Sequence, residues 1–171
     1  AALHRQFHIA EKKIHVIANG LPTKAAAELH ATQPSIGFIG RLSLEKGPDL
    51  FLQSVIPLLK KNTQLQALII GDGELYSTLE QQITAQGLSS QIRLLGYQED
   101  INAWLTQLTV LVISSRTEGT PMVLLEAMQA GVPVAAFAVG GIPDVIESNK
   151  EGLLAQPLDT QALCLCIEKI L

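Results

Sequence analysis

From residue 35 onward the chain alternates short apolar runs with segments of helical character, and this rhythm limits the fold more than any other feature. The runs 35–39, 66–70, 91–95, 109–113, 133–137 and 152–155 read as strands. Val110-Leu111-Val112-Ile113 is apolar throughout and rich in β-branched residues, as suits a strand covered on both faces. Helices are predicted at about 48–60, 73–86, 99–107, 121–130, 142–148 and 159–171. Pro57 is expected to bend or break the first of them. Strands that alternate with helices imply a parallel sheet with helices on both faces. Right-handed crossovers then favour an α/β, Rossmann-like, doubly wound six-stranded sheet in the order 3-2-1-4-5-6. Residues 35–171 make up that domain. Residues 1–34 are expected to be an interdomain segment, helical over 1–13, with a short strand at Ile14-His15-Val16-Ile17 and a turn at Asn19-Gly20.

Composition narrows the function. The chain has 171 residues, of which 47% are hydrophobic and 16% charged, enough apolar matter for one sizeable core. A net charge of −4 argues against a nucleic-acid surface, which needs a broad cationic face. Any anionic ligand must therefore be held by a few local cations. Cys164 and Cys166 form a lone C-x-C, a poor zinc candidate, and as reduced thiols they fit a cytoplasmic protein. His4, His8, His15 and His30 are scattered and take no assigned chemistry. No apolar run approaches the roughly 18 residues of a membrane span, and no signal peptide is visible. Ala1 is not an initiator methionine, so the expectation is a piece of a longer protein.

In the 3-2-1-4-5-6 order, ligands bind beyond the carboxyl ends of the first and fourth strands. The loop after the first is Gly40-Arg41-Leu42-Ser43-Leu44-Glu45-Lys46-Gly47. The loop after the fourth is Ser114-Ser115-Arg116-Thr117-Glu118-Gly119-Thr120-Pro121, leading into Met122 and Val123. Thr120 is expected to cap the helix that follows, with Pro121 at its first position. The free N–H groups of Gly119, Thr120, Met122 and Val123 then converge at the positive end of the helix, an anion site. Across from it, Arg41 offers a planar fork and Lys46 a point charge, which suits a diphosphate. The plainer alternative pairs these cations with Glu45 and Glu74 on the surface. Arg116 is a third cation, expected to be solvated.

Glu126 lies one turn after Met122. It sits either on a solvated stripe with Gln129 or in a pocket, where it would accept from neutral hydroxyls such as those of a ribose. Gly71-Asp72-Gly73-Glu74 ends the second strand, and Gly96-Tyr97-Gln98 ends the third. A base could lie on Tyr97 with main-chain groups of Tyr97 and Gln98 at its edge, or Tyr97 could simply pack over a turn. Gly140-Gly141-Ile142-Pro143-Asp144 reads as turn and cap chemistry. No G-x-G-x-x-G motif, Walker loop or D-x-D pair is found at the expected places.

Glu118 and Glu126 form an E-x7-E pair, followed by Ala127-Met128-Gln129-Ala130-Gly131-Val132-Pro133-Val134. Together with Gly40-Arg41-Leu42, Lys46-Gly47, Gly71-Asp72-Gly73, Leu95-Gly96-Tyr97 and Gly140-Gly141-Ile142-Pro143-Asp144-Val145-Ile146, this set resembles the carboxy-terminal domain of glycosyltransferase family 4 enzymes. These are retaining, metal-independent enzymes of GT-B architecture. Val16-Ile17-Ala18-Asn19-Gly20 is similar to the segment that leads into that domain, with alanine where proline is more usual. Ser114-Ser115 stands where relatives carry proline and serine, and Gly119-Thr120-Pro121-Met122 replaces a Gly-Phe-Gly style of loop.

The resemblance implies a nucleotide-diphospho-sugar donor, UDP-sugar favoured, and no cofactor. Arg41 and Lys46 would hold the diphosphate. Glu126 would take the ribose hydroxyls, and Glu118 the transferred sugar under the loop Gly119, Thr120, Pro121, Met122. Gly71, Asp72, Gly96, Tyr97, Gln98 and Val123 would complete the donor site. It also implies a separate amino-terminal acceptor domain, absent here, and permits peripheral membrane contact of the full-length protein. The competing reading is a non-catalytic nucleotide-binding or protein-interaction module of the same fold. A related isomerase or phosphorylase is disfavoured, since no Schiff-base lysine stands out.

Overall fold

The computed structural model describes residues 33–171, together with 13 and 19–22. The expected helix over 1–13, the strand at 14–17 and most of the linker lie outside the described residues. Six strands form one parallel sheet: β1 (Ser35–Ile39), β2 (Gln66–Ile70), β3 (Ile92–Leu94), β4 (Val110–Ile113), β5 (Val134–Phe137) and β6 (Gly152–Ala155). Their order is β3-β2-β1-β4-β5-β6, as the alternation predicts. β1 pairs with β2 from Ser35↔Gln66 to Ile39↔Ile70, and with β4 at Ile36↔Val110 and Gly37↔Leu111. β1 is therefore central, and the chain reverses its direction of travel across the sheet between β1 and β4.

The core follows from this sandwich of layers. Ile36, Ile69, Val110, Leu111, Val134 and Phe137 are fully buried. Each such side chain contributes about 1.5–3 kcal/mol by leaving water. Gly37 leaves room for Leu108, whose side chain occupies the space a Cβ would fill.

Helix α1 (Pro48–Lys61) starts on Gly47, held in the left-handed region at φ 65°. Pro48 fills the first position, where its missing N–H leaves nothing unpaired. Pro57 does not break α1, which runs through it from Pro48 to Lys61. Pro57 is exposed, so the carbonyl it leaves without an N–H partner can turn to water, while Val55, Leu58 and Leu59 anchor both sides of it in the core. Helix α2 (Tyr76–Ala85) begins three residues later than predicted, because Gly71 (φ 135°) and Gly73 (φ 156°) keep the preceding turn out of helical space. α3 (Ile101–Leu105) is short and is capped by Asp100, whose carboxylate accepts from the Ala103 N–H.

Helix α4 (Met122–Ala130) ends on Gly131 at φ 72°. The segment predicted as a helix over 142–148 is only a 3-10 turn, Ile142–Asp144. Pro143 and the glycine pair before it leave too few N–H donors and too much backbone freedom for a longer ladder. α5 (Thr160–Ile170) is capped by Asp159 and buries Leu163 and Ile167. No helix among the described residues is long and apolar enough to cross a membrane.

Candidate functional site

A cleft of about 520 Å³ opens at the carboxyl ends of the strands, on the side of the switch point. β1 delivers Arg41 and Lys46 to it, β2 delivers Gly71 and Asp72, β3 delivers Tyr97 and Gln98, and the start of α4 delivers Pro121, Met122 and Val123. Strands lie about 4.8 Å apart, so the three spacings from β3 to β4 stretch the cleft over roughly 14 Å. That is the scale of a nucleoside and its diphosphate. Of the predicted residues, Gly96, Glu118, Gly119, Thr120 and Glu126 do not line the cleft.

The two glycines of β2's loop explain how its floor closes. Gly40 N–H donates to Ile70 O, and Leu42 N–H to Asp72 O at 2.8 Å, so the loops after β1 and β2 run side by side. A Cβ on Gly71 would sit 1.9 Å from Gly40 O. Asp72 accepts from the Gly73 N–H at 2.7 Å, which spends one carboxylate oxygen on the turn itself.

The predicted cap of α4 needs correction. The cap residue is Pro121 itself, in extended conformation (φ −68°, ψ 132°), and no side chain caps the helix. Thr120 O instead accepts from Asn19 Nδ2 at 3.2 Å. With Pro121 outside the helix, the N–H groups of Met122 and Val123 are the first of α4 and stand at the cleft wall without a helical carbonyl to meet. Of the four expected N–H donors, the cleft is lined by Met122 and Val123, and Gly119 and Thr120 lie outside it.

Lys46 and Glu118 bind each other. Lys46 Nζ donates to Glu118 Oε1 at 2.7 Å, and the same oxygen accepts from Ser115 Oγ at 2.7 Å. The Glu118 side chain is only 6% exposed and that of Lys46 28%. The expected competitors Glu45 and Glu74 make no ion pair with Lys46 or Arg41 among the described residues. Arg41 is exposed at the cleft. Glu126 is half-buried one turn beyond the wall and has no ion-pair partner among the described residues. Its neighbour Gln129 donates to Pro22 O at 2.7 Å.

Arg116 is not solvated as expected. Its Nη1 reaches Asp49 Oδ1 at 2.9 Å and its Nη2 reaches Asp49 Oδ2 at 2.6 Å, a two-pronged pair. Hydrogen bonding from Arg116 holds the Asp49 carboxyl below its ordinary range, against a burial effect of opposite sign. The same pair pushes the Arg116 guanidinium up.

At the β3 end, Tyr97 is 74% exposed, so it does not pack over its turn. The Gln98 side chain is committed: its Nε2 donates to Leu95 O at 2.8 Å and its Oε1 accepts from Trp104 Nε1 at 3.2 Å. Gly140 and Gly141, read from sequence as turn chemistry, do more. A Cβ on Gly140 would lie 1.8 Å from Glu118 O, and one on Gly141 would lie 2.8 Å from Gly119 O. The two glycines let β5's loop press against the backbone of the Glu118 loop. Their adjacency at a strand end was the only sequence signal for it.

This is an α/β domain whose switch-point cleft joins cations to helix N–H donors. The chain belongs to the glycosyl transferases group 1 family, whose sequence profile matches residues 33–171. It is 34% identical over 140 residues to the 2-deoxystreptamine glucosyltransferase of Streptomyces kanamyceticus, a match that covers 81% of this chain and 36% of that protein. The chain thus spans about a third of the length of that curated relative. A mutant of S. aureus TarM in complex with Fondaparinux, alpha-GlcNAc-glycerol and UDP has the same fold, with a TM-score of 0.90 at 26% identity over 99% of this chain and 34% of that one. The C-terminal domain of a glycosyl transferase group 1 family protein, LpcC, from Francisella tularensis gives a TM-score of 0.75 at 29% identity, over 80% of this chain and 74% of that one.

Proposed function

We propose that residues 35–171 are the carboxy-terminal, donor-binding domain of a retaining glycosyltransferase of family 4, which moves a sugar from a nucleotide-diphospho-sugar to an acceptor. One observation carries the reading. Arg41, Lys46 and the opening N–H groups of α4 line a single cleft, although they come from loops on either side of the switch point. UDP in the TarM relative supports a UDP-sugar as donor. The group 1 relative that corresponds to this chain as a C-terminal domain supports its place in the longer protein.

In this reading the uracil lies toward Tyr97, read by main-chain groups of Tyr97 and Gln98, since the Gln98 amide is already engaged. The diphosphate meets the Arg41 guanidinium, Lys46 Nζ and the N–H groups of Met122 and Val123. These donors stabilise the charge that grows on the leaving diphosphate as the sugar–oxygen bond breaks. Glu126 accepts from the ribose hydroxyls, and Glu118 from the sugar. For Lys46 and Glu118 to do so, their bond must yield to the donor, which offers a phosphate to the one and a hydroxyl to the other.

Calorimetry with UDP tests the assignment. Arg41→Ala and Lys46→Ala should each weaken binding by about 1.5–3 kcal/mol, the worth of a charge-assisted hydrogen bond. Unchanged affinity in both variants removes the diphosphate site. Glu126→Ala should lose more affinity for UDP than for pyrophosphate, and equal losses contradict its role at the ribose. A thermal-shift series of UDP-, GDP- and ADP-sugars identifies the base.

A further inference from the structure

The loops after β1 and β4 are joined by a ladder of bonds that includes no ligand-binding group until its last rung. Ser114 Oγ donates to Gly47 O at 2.8 Å. The Arg116 N–H donates to Glu45 O at 2.8 Å. The Arg116 guanidinium gives Nη1 to Leu44 O at 2.7 Å and closes both prongs on Asp49. Every one of these bonds spans about seventy residues of sequence and ties residues 114–116 to residues 44–49. The last rung is Lys46 with Glu118, two residues further on.

The guanidinium is central to the ladder. It is planar, so meeting a carboxylate with both nitrogens fixes the angle between the two loops as well as their distance. Asp49 stands in the first turn of α1, directly after the Gly47-Pro48 opening that ends the β1 loop. Arg116 and Asp49 are each part-buried, 33% and 23% exposed, and neither lines the cleft. Both their charges are consumed by the pair, so neither is offered to an anion.

We propose that Arg116 and Asp49 are positioning residues: their two-pronged pair clamps the β1 loop to the β4 loop and so sets where Lys46 stands to receive the donor's diphosphate. The inference rests on the donor-site reading above, and it adds two residues to the machinery that touch no ligand. Losing the pair removes the one rung that fixes the angle between the loops and leaves the Ser114–Gly47 and Arg116–Glu45 rungs to hold Lys46's loop, while the β3 end of the cleft, two strands from β1, is unaffected.

The test is a set of variants of this chain, Arg116→Ala, Arg116→Lys, Asp49→Asn and the exchanged pair Arg116→Asp with Asp49→Arg, titrated with UDP and with uridine. The expected result is a loss of UDP affinity of about five- to tenfold in each single variant and at least partial recovery in the exchanged pair. Uridine affinity should stay within twofold. Arg116→Lys should behave like Arg116→Ala, since an ammonium cannot span both oxygens. Equal losses for UDP and uridine mean a merely structural pair and overturn the proposal, as does UDP binding at the unsubstituted level in Asp49→Asn. A second measurement needs no nucleotide: amide exchange at Arg116, whose N–H meets Glu45 O, should speed up about tenfold in Asp49→Asn. Unchanged exchange there also overturns the clamp. Failure of the unsubstituted chain to bind UDP overturns the donor reading instead, and the exchange measurement still decides the clamp.

Discussion

Asp49 carries a consequence for acid stability. Its carboxyl is held below the ordinary value of 3.8, first by the hydrogen bonds from Arg116, so its folded pKa lies below its unfolded one. A depressed carboxylate adds stability above the unfolded value, and that stability is lost as pH falls through the folded value. Asp49→Asn should therefore cost about 1 kcal/mol near neutral pH, as suits a half-buried pair, and the difference should begin to shrink as pH falls below about 4, toward the folded value. Urea unfolding of both proteins at pH 6 and pH 3 checks it; a difference that persists unchanged at pH 3 contradicts the assignment. The partners of charged side chains were the least legible part of the sequence. Lys46 had Glu45 beside it and Glu74 on the neighbouring loop, yet its partner is Glu118, 72 positions away. No periodicity records a contact between two loops that meet only after the sheet has formed. Ser115 gave no signal either, because a serine hydroxyl is as common in a solvated turn as on a buried carboxylate.

Among the elements, the strands were the most legible. β1, β2 and β6 have the predicted bounds: β1 and β2 are short apolar runs buried in the middle of the sheet, and the edge strand β6 is set off by Gly152. Helix ends were blurred where glycine or proline governs the approach, at α2, at α4 and at the 3-10 turn. The loops between elements carry the site, and Gly140 shows how tightly they fit. It has φ 56°, and a side chain there would strike Glu118 O. Gly96 has φ 66°, but no heavy atom lies within 4 Å of where its Cβ would be. Gly140→Ala should thus cost about 2–4 kcal/mol, strain plus displacement of the Glu118 loop, whereas Gly96→Ala should cost about 1 kcal/mol. Denaturant midpoints of the two variants settle the contrast, and equal losses contradict the nesting of the two loops.

The molecule as a whole presents half of a transfer machine in the proposed reading. That reading assigns to this chain the grip on the donor and the charge for its departure, and assigns the acceptor to another part of the longer protein. Residues 1–171 are expected to bind a UDP-sugar without sustained transfer to any acceptor, and steady turnover by this chain alone overturns that division of labour. UDP at a hundred times its dissociation constant should raise global stability by about 2.7 kcal/mol, readable as a higher melting temperature. Trp104 is the chain's single tryptophan, and its indole N–H rests on the Gln98 amide beside the base end of the cleft. Light emitted by the whole protein on excitation near the red edge of its absorption therefore comes from one spot. Filling the cleft with UDP should change the intensity or colour of that emission, while pyrophosphate, seated three strands away, should leave it alone. The bond from the Trp104 indole to Gln98, a residue of the cleft wall, would then serve as an optical gauge of occupancy.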